Sequence, residues 1–141
     1  MDNIINNIIP LSVYHEMNHI ARWQGPGYGA NFIDTVISEG LAIIFAQENW
    51  KGFKAPWGEY NKNEVNQFVK YIKANINTKD KYDHQKWFFG KGEMKWLGYR
   101  IGSYIIQKLR DNNPEISLSK LTKMKSLDTF KLSGIDFKIL L

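Results

Sequence analysis

Apolar positions recur along this chain at spacings of three and four residues, the period of a helix buried on one side. Near the start, Leu11, Val13, Met17 and Ile20 continue a series begun by Ile4, Ile5, Ile8 and Ile9, with Pro10 between the two groups. Proline lacks an N–H, and its ring collides with the carbonyl four residues back, so it is at home only in a first turn. The pattern therefore predicts a first helix from at or just before Pro10 to Trp23. Gln24 to Ala30 contains three glycines and a proline, which turn the chain and send a second helix back antiparallel to the first. That helix spans Asn31 to Glu48, with Phe32, Ile33, Val36, Ile37, Leu41, Ile44 and Phe45 on its apolar face. Gly40 lies on the same face; its cost of roughly 1 kcal/mol relative to alanine makes sense if another backbone approaches closely there.

Beyond this hairpin the pattern is looser. Trp50, Phe53, Trp57 and Tyr60 stand among glycines and a proline in an aromatic loop that caps the core or lines a cleft. A third helix is predicted from Asn63 to Asn77, striped by Val65, Phe68, Val69, Ile72 and Ile76. Residues 78–94, with His84 and the run Trp87-Phe88-Phe89, read as a loop with at most a short strand. A fourth helix, Lys95 to Asn112, carries Leu97, Ile101, Tyr104, Ile105 and Leu109, and its Gly98 and Gly102 permit close packing. Asn112-Asn113-Pro114 ends it. From Ser117 onward one or two short helices are expected, capped by Ser117 or Ser119 with Leu118, Leu121 and Met124 inward. The sum is a mainly α single domain over residues 1–141, large enough to bury about two thirds of the surface its unfolded chain exposes.

Composition narrows the chemistry. Cysteine is absent, so no disulfide or thiolate metal site is available, and any transition metal must be held by His, Asp or Glu. A cysteine-free chain without a secretory signal fits a reducing, cytoplasmic setting. No apolar run approaches the roughly 20 residues that span a bilayer, so no membrane partner is expected. The net charge of +5 is uneven: residues 1–50 carry one base, Arg22, against five acids, and the remainder is lysine-rich. Those lysines are scattered singly along amphipathic stretches, which describes a solvated surface better than a nucleic-acid footprint.

Within the first helix stands Tyr14-His15-Glu16-Met17-Asn18-His19, which holds two of the three histidines. Residues four apart differ by roughly 40° around a helix axis, so His15 and His19 can both turn a lone pair to one ion, with Glu16 beside them. This is the H-E-x-x-H arrangement of zinc hydrolases, in which the histidines bind metal and the glutamate handles the proton of an activated water. Glu39, next to the apolar face of the second helix, is either a glutamate exposed at the rim or a carboxylate whose burial a metal ion compensates.

The ordered set His-Glu-Met-Asn-His, then Ser38-Glu39-Gly40-Leu41-Ala42, then Gly98-Tyr99-Arg100-Ile101-Gly102 resembles a bacterial family of predicted zinc-dependent proteases of unknown function, of gluzincin type. The resemblance runs from Val13 to about Leu121 and implies a zincin-like helical core with one zinc per chain. It makes His15, His19 and Glu39 the ligands and Glu16 the general base. It also makes Tyr99 a donor to the tetrahedral intermediate; apart from the resemblance, the third histidine, His84, is a second and lesser candidate for that task. Tyr99 is equally readable as a core aromatic, since Leu97, Ile101 and Tyr104 are close on the same helix. Two departures stand out. Ile43 occupies the position, four residues after Glu39, where some gluzincins carry an aspartate that orients a ligand histidine, so the supporting groups must come from elsewhere. The sheet that precedes the metal helix in this family is missing or very reduced, as in the C-terminal portion of a longer domain. The implied activity is hydrolysis of a peptide or protein substrate. The alternative is a metal-binding but catalytically silent domain acting through a protein partner.

Overall fold

A computed structural model describes residues 2–76 and 83–135, which are mainly helical and contain no strand. Seven α-helices follow in order: α1 (Asp2–Trp23), α2 (Phe32–Asn49), α3 (Val65–Asn75), α4 (His84–Phe89), α5 (Leu97–Asn112), α6 (Leu118–Thr122) and α7 (Ser126–Leu132). Helix α2 is the axis of the structure, buried along most of its length, with α1 and α5 packed along it. Its start is fixed by Asn31, whose side chain accepts from the Asp34 N–H. Val36, Ile37 and Leu41 are wholly buried, and each such side chain contributes about 1.5–3 kcal/mol when removed from water. Phe68 and Ile72 of α3, Trp87 and Phe88 of α4, Ile101, Ile105 and Leu109 of α5, Leu121 of α6 and Phe130 of α7 complete one core around it.

Helices α1 and α2 run antiparallel. Trp50, just past the end of α2, donates through Nε1 to Asn7 Oδ1 near the start of α1, while Arg22 at the far end of α1 donates to Ser38 in the first half of α2. The expected start of α1 at Pro10 is corrected: the helix begins at Asp2 and carries Pro10 within it. The Trp50–Asn7 bond and the half-buried Asn7 and Ile8 show what the extra turns gain, a longer seam against the end of α2. A second correction falls on residues 78–94. Asp83 caps a helical turn by accepting from the Lys86 N–H, and α4 stands where a loop or strand is predicted, followed by a 3-10 turn at Gly92–Met94. Residues 78–82, Asn77 and the stretch beyond Ile135 lie outside the described residues.

The close approach expected at Gly40 is present. A methyl group there would strike the backbone of Gly102, and one at Gly102 would strike the Val36 carbonyl, so α2 and α5 meet backbone to backbone. Gly98, one turn earlier, lies under the ring of Phe88. The start of α5 is braced by Arg100, which pairs with Glu64 and donates to the Glu93 and Lys95 carbonyls below the left-handed turn at Trp96. Helix α1 packs on one side only. Its outer face leaves Ile5, Ile9, Val13, Met17, Ile20 and Trp23 half or more exposed, an apolar stripe along the whole helix.

Candidate metal centre

Where α1 crosses the middle of α2, Leu11, Asn18 and Arg22 turn inward. His15 and His19, a turn apart on the adjacent flank, face Glu39, which is only 4% exposed. His15 Nε2 lies 2.9 Å from His19 Nε2 and 3.0 Å from Glu39 Oε2, and His19 Nε2 lies 3.4 Å from the same oxygen. Ligand atoms placed tetrahedrally at bond lengths of about 2.0–2.1 Å stand about 3.3–3.4 Å apart, so the three separations are close to those of a zinc site. Glu39 Oε2 is buried and accepts no hydrogen bond among the described residues. Two imidazole nitrogens and a carboxylate oxygen turned on one another, the oxygen without a hydrogen bond of its own, are a donor set that a cation completes.

The carboxylate is nonetheless strongly held as an anion. Burial on its own would raise its pKa, but His15, His19 and the hydroxyl of Tyr28 beside it outweigh burial and bring it down to about 2. Tyr28 Oη donates to Glu39 Oε1 at 2.5 Å, and its ring meets His19 edge-on at 4.7 Å. No carboxylate or carbonyl accepts from the Nδ1 atoms of His15 and His19 among the described residues. The supporting contact that Ile43 cannot make therefore falls on the glutamate rather than on a histidine.

These three donors sit in a cleft of about 560 Å³ that also gathers Glu16, Tyr99, His84, Ile20, Trp23 and Phe89. Glu16 is exposed at the edge of α1. Tyr99 lies across from it on α5, its ring edge-on to Phe88 and Phe89. Burial, then the charges of Glu39 and Glu16, push its phenol pKa well up, so the group stays protonated. His84 stacks on Phe88 at 4.7 Å and stands exposed at the mouth of the cleft, on α4 rather than a loop.

A family model described as predicted Zn-dependent protease (DUF2268) matches residues 2–131. The chain belongs to that family. No curated protein and no solved structure matches the chain. Among the described residues, the trio His15, His19 and Glu39 is the group of metal-ligating side chains that converges.

Two residues around the site are absent from the sequence reading of it. Tyr28 lies in a turn that looks like punctuation. Arg22 is wholly buried and donates to Ser38 Oγ at 2.8 Å, to the Thr122 and Met124 carbonyls at 3.2 and 3.0 Å and to Ser126 Oγ at 2.6 Å. With Asn18, which donates to Thr122 Oγ1, it ties α6 and the start of α7 to the inner face of α1. The signal that points to Arg22 is its isolation, as the single base in an acidic first third of the chain.

Proposed function

We propose that the chain is a zinc-dependent peptidase of gluzincin type, and the observation that carries this is the convergence of His15 Nε2, His19 Nε2 and Glu39 Oε2 in a cleft beside Glu16 and Tyr99. Its substrate is a peptide or protein segment rather than nucleic acid or a membrane. The two histidines, neutral, and the glutamate, ionised, would hold the ion. Bound there, zinc supplies Lewis acidity, which acidifies a water toward a pKa of about 7 and polarises the carbonyl under attack. Glu16 takes a proton from that water as its oxygen bonds to the carbonyl carbon, and passes it to the amine nitrogen as the C–N bond breaks. Tyr99 donates to the carbonyl oxygen, where negative charge develops, with His84 a second donor from the mouth of the cleft. Ile20, Trp23 and Phe89 give the cleft apolar walls against which a peptide side chain is desolvated.

Glu16→Gln tests this reading. Glutamine has the same shape and cannot accept the proton, so the variant is expected to keep one zinc per chain by elemental analysis while turnover of a mixed peptide pool falls by about 10²- to 10⁴-fold. Unchanged turnover moves the base role away from Glu16. Zinc at one per chain with no turnover in the parent favours the silent, partner-binding alternative, and no zinc above background removes the metal altogether.

A further inference from the structure

We propose that Tyr28 is a positioning residue that reserves one oxygen of Glu39, so that the glutamate meets the metal through Oε2 alone; this rests on the metal reading above. The two carboxylate oxygens have separate surroundings. Oε1 takes the Tyr28 hydroxyl at 2.5 Å, while Oε2 faces His15 Nε2 and His19 Nε2 at 3.0 and 3.4 Å. An O–H donor to an ionised oxygen makes a bond of about 2.5–2.7 Å, roughly twice as strong as a neutral one, and Tyr28 falls in that class. A glutamate with both oxygens free can swing to grip an ion with the pair and crowd the position a substrate or water needs; with Oε1 engaged it is confined to one bond. An open fourth position separates catalytic zinc sites from structural ones.

Three further observations concentrate this task on Tyr28. The same ring rests edge-on against His19, so one side chain touches two of the three donors. Neither His15 Nδ1 nor His19 Nδ1 meets an acceptor among the described residues, which leaves the glutamate as the ligand with a built support. The turn that carries Tyr28 is also specialised: Gly27 and Gly29 on either side have φ of 90° and 75°, a region other residues rarely adopt. The connection between α1 and α2 thus does more than reverse the chain, since its backbone folds the phenol back over the ligand glutamate.

The test uses the full chain and two metals. Zinc affinity is measured by competition with a chromophoric chelator, and the visible spectrum is recorded after loading with cobalt(II), whose absorption weakens as coordination rises above four. Tyr28→Phe keeps the ring against His19 and removes the hydroxyl alone. It is expected to weaken zinc binding by about 10- to 100-fold, the size of effect of losing a group that orients a ligand, and to lower the cobalt absorption, with helix content unchanged. Tyr28→Leu, which removes the ring as well, is expected to bind no better than the phenylalanine variant. If the parent chain binds zinc and Tyr28→Phe matches it in both affinity and cobalt spectrum, the inference fails alone. If the parent binds neither metal, the metal reading fails and this inference with it.

Discussion

At the scale of single residues, Tyr99 carries the choice between packing and chemistry. Its ring packs on Phe88 and Phe89 like a core aromatic, yet the residue lines the cleft and its phenol pKa is pushed up by burial and by Glu39 and Glu16. Tyr99→Phe retains the ring and separates the two roles. The expected outcome is a fall in kcat of about 10²-fold or more, read by steady-state kinetics, with thermal stability changed by at most about 1 kcal/mol. A stability loss with unchanged kcat returns Tyr99 to the core. The histidine pair and Glu16 are legible in sequence because a helix brings residues four apart together without help from the fold. Glu39 is legible only in part, since whether it is buried depends on which way α2 rolls against α1. Tyr28 is not legible at all: its neighbours Gly-Pro-Gly and Gly announce a turn, and nothing local says that the turn aims a phenol inward.

At the scale of elements, the long helices follow the periodicity, and α2 and α5 begin within two residues of the predicted starts. The misses have specific causes. A proline sits inside α1 because the turns before it dock on the end of α2, a gain invisible to a rule about backbone hydrogen bonds. Helix α4 is too short for a repeat of the apolar pattern to show, and its cap, Asp83, is one polar residue among many. The short helices α6 and α7 are held to α1 by Arg22, whose hydrogen bonds to Ser38, Thr122 and Ser126 are buried and whose bond to the Met124 carbonyl is partly so. Arg22→Met fills similar volume but strands those carbonyls and hydroxyls. It is expected to destabilise the chain by about 2–4 kcal/mol in urea unfolding, a loss that an exposed arginine would not give.

At the scale of the whole molecule, the outer face of α1 has no partner among the described residues, so changing it leaves the core alone. Val13→Lys is expected to shift unfolding free energy by no more than about 0.5 kcal/mol while lowering binding of a hydrophobic dye to the native protein; a large destabilisation would show that something packs there. No helix of the described residues is long and apolar enough to cross a membrane, so the stripe is a surface feature and not a span. The crossing of α2 and α5 reaches further. Glu39 immediately precedes Gly40, and Tyr99 precedes Gly102 by three residues, so the proposed ligand and the proposed oxyanion donor are both measured from one point where two main chains touch. The spacing of their backbones is thereby set by a close packing contact between two helices rather than by a loop. The α2 and α5 walls of the cleft therefore keep their spacing for as long as these two helices stay clasped, while His15 and His19 keep theirs only while α1 stays docked on α2, so the site has two seams to lose rather than one.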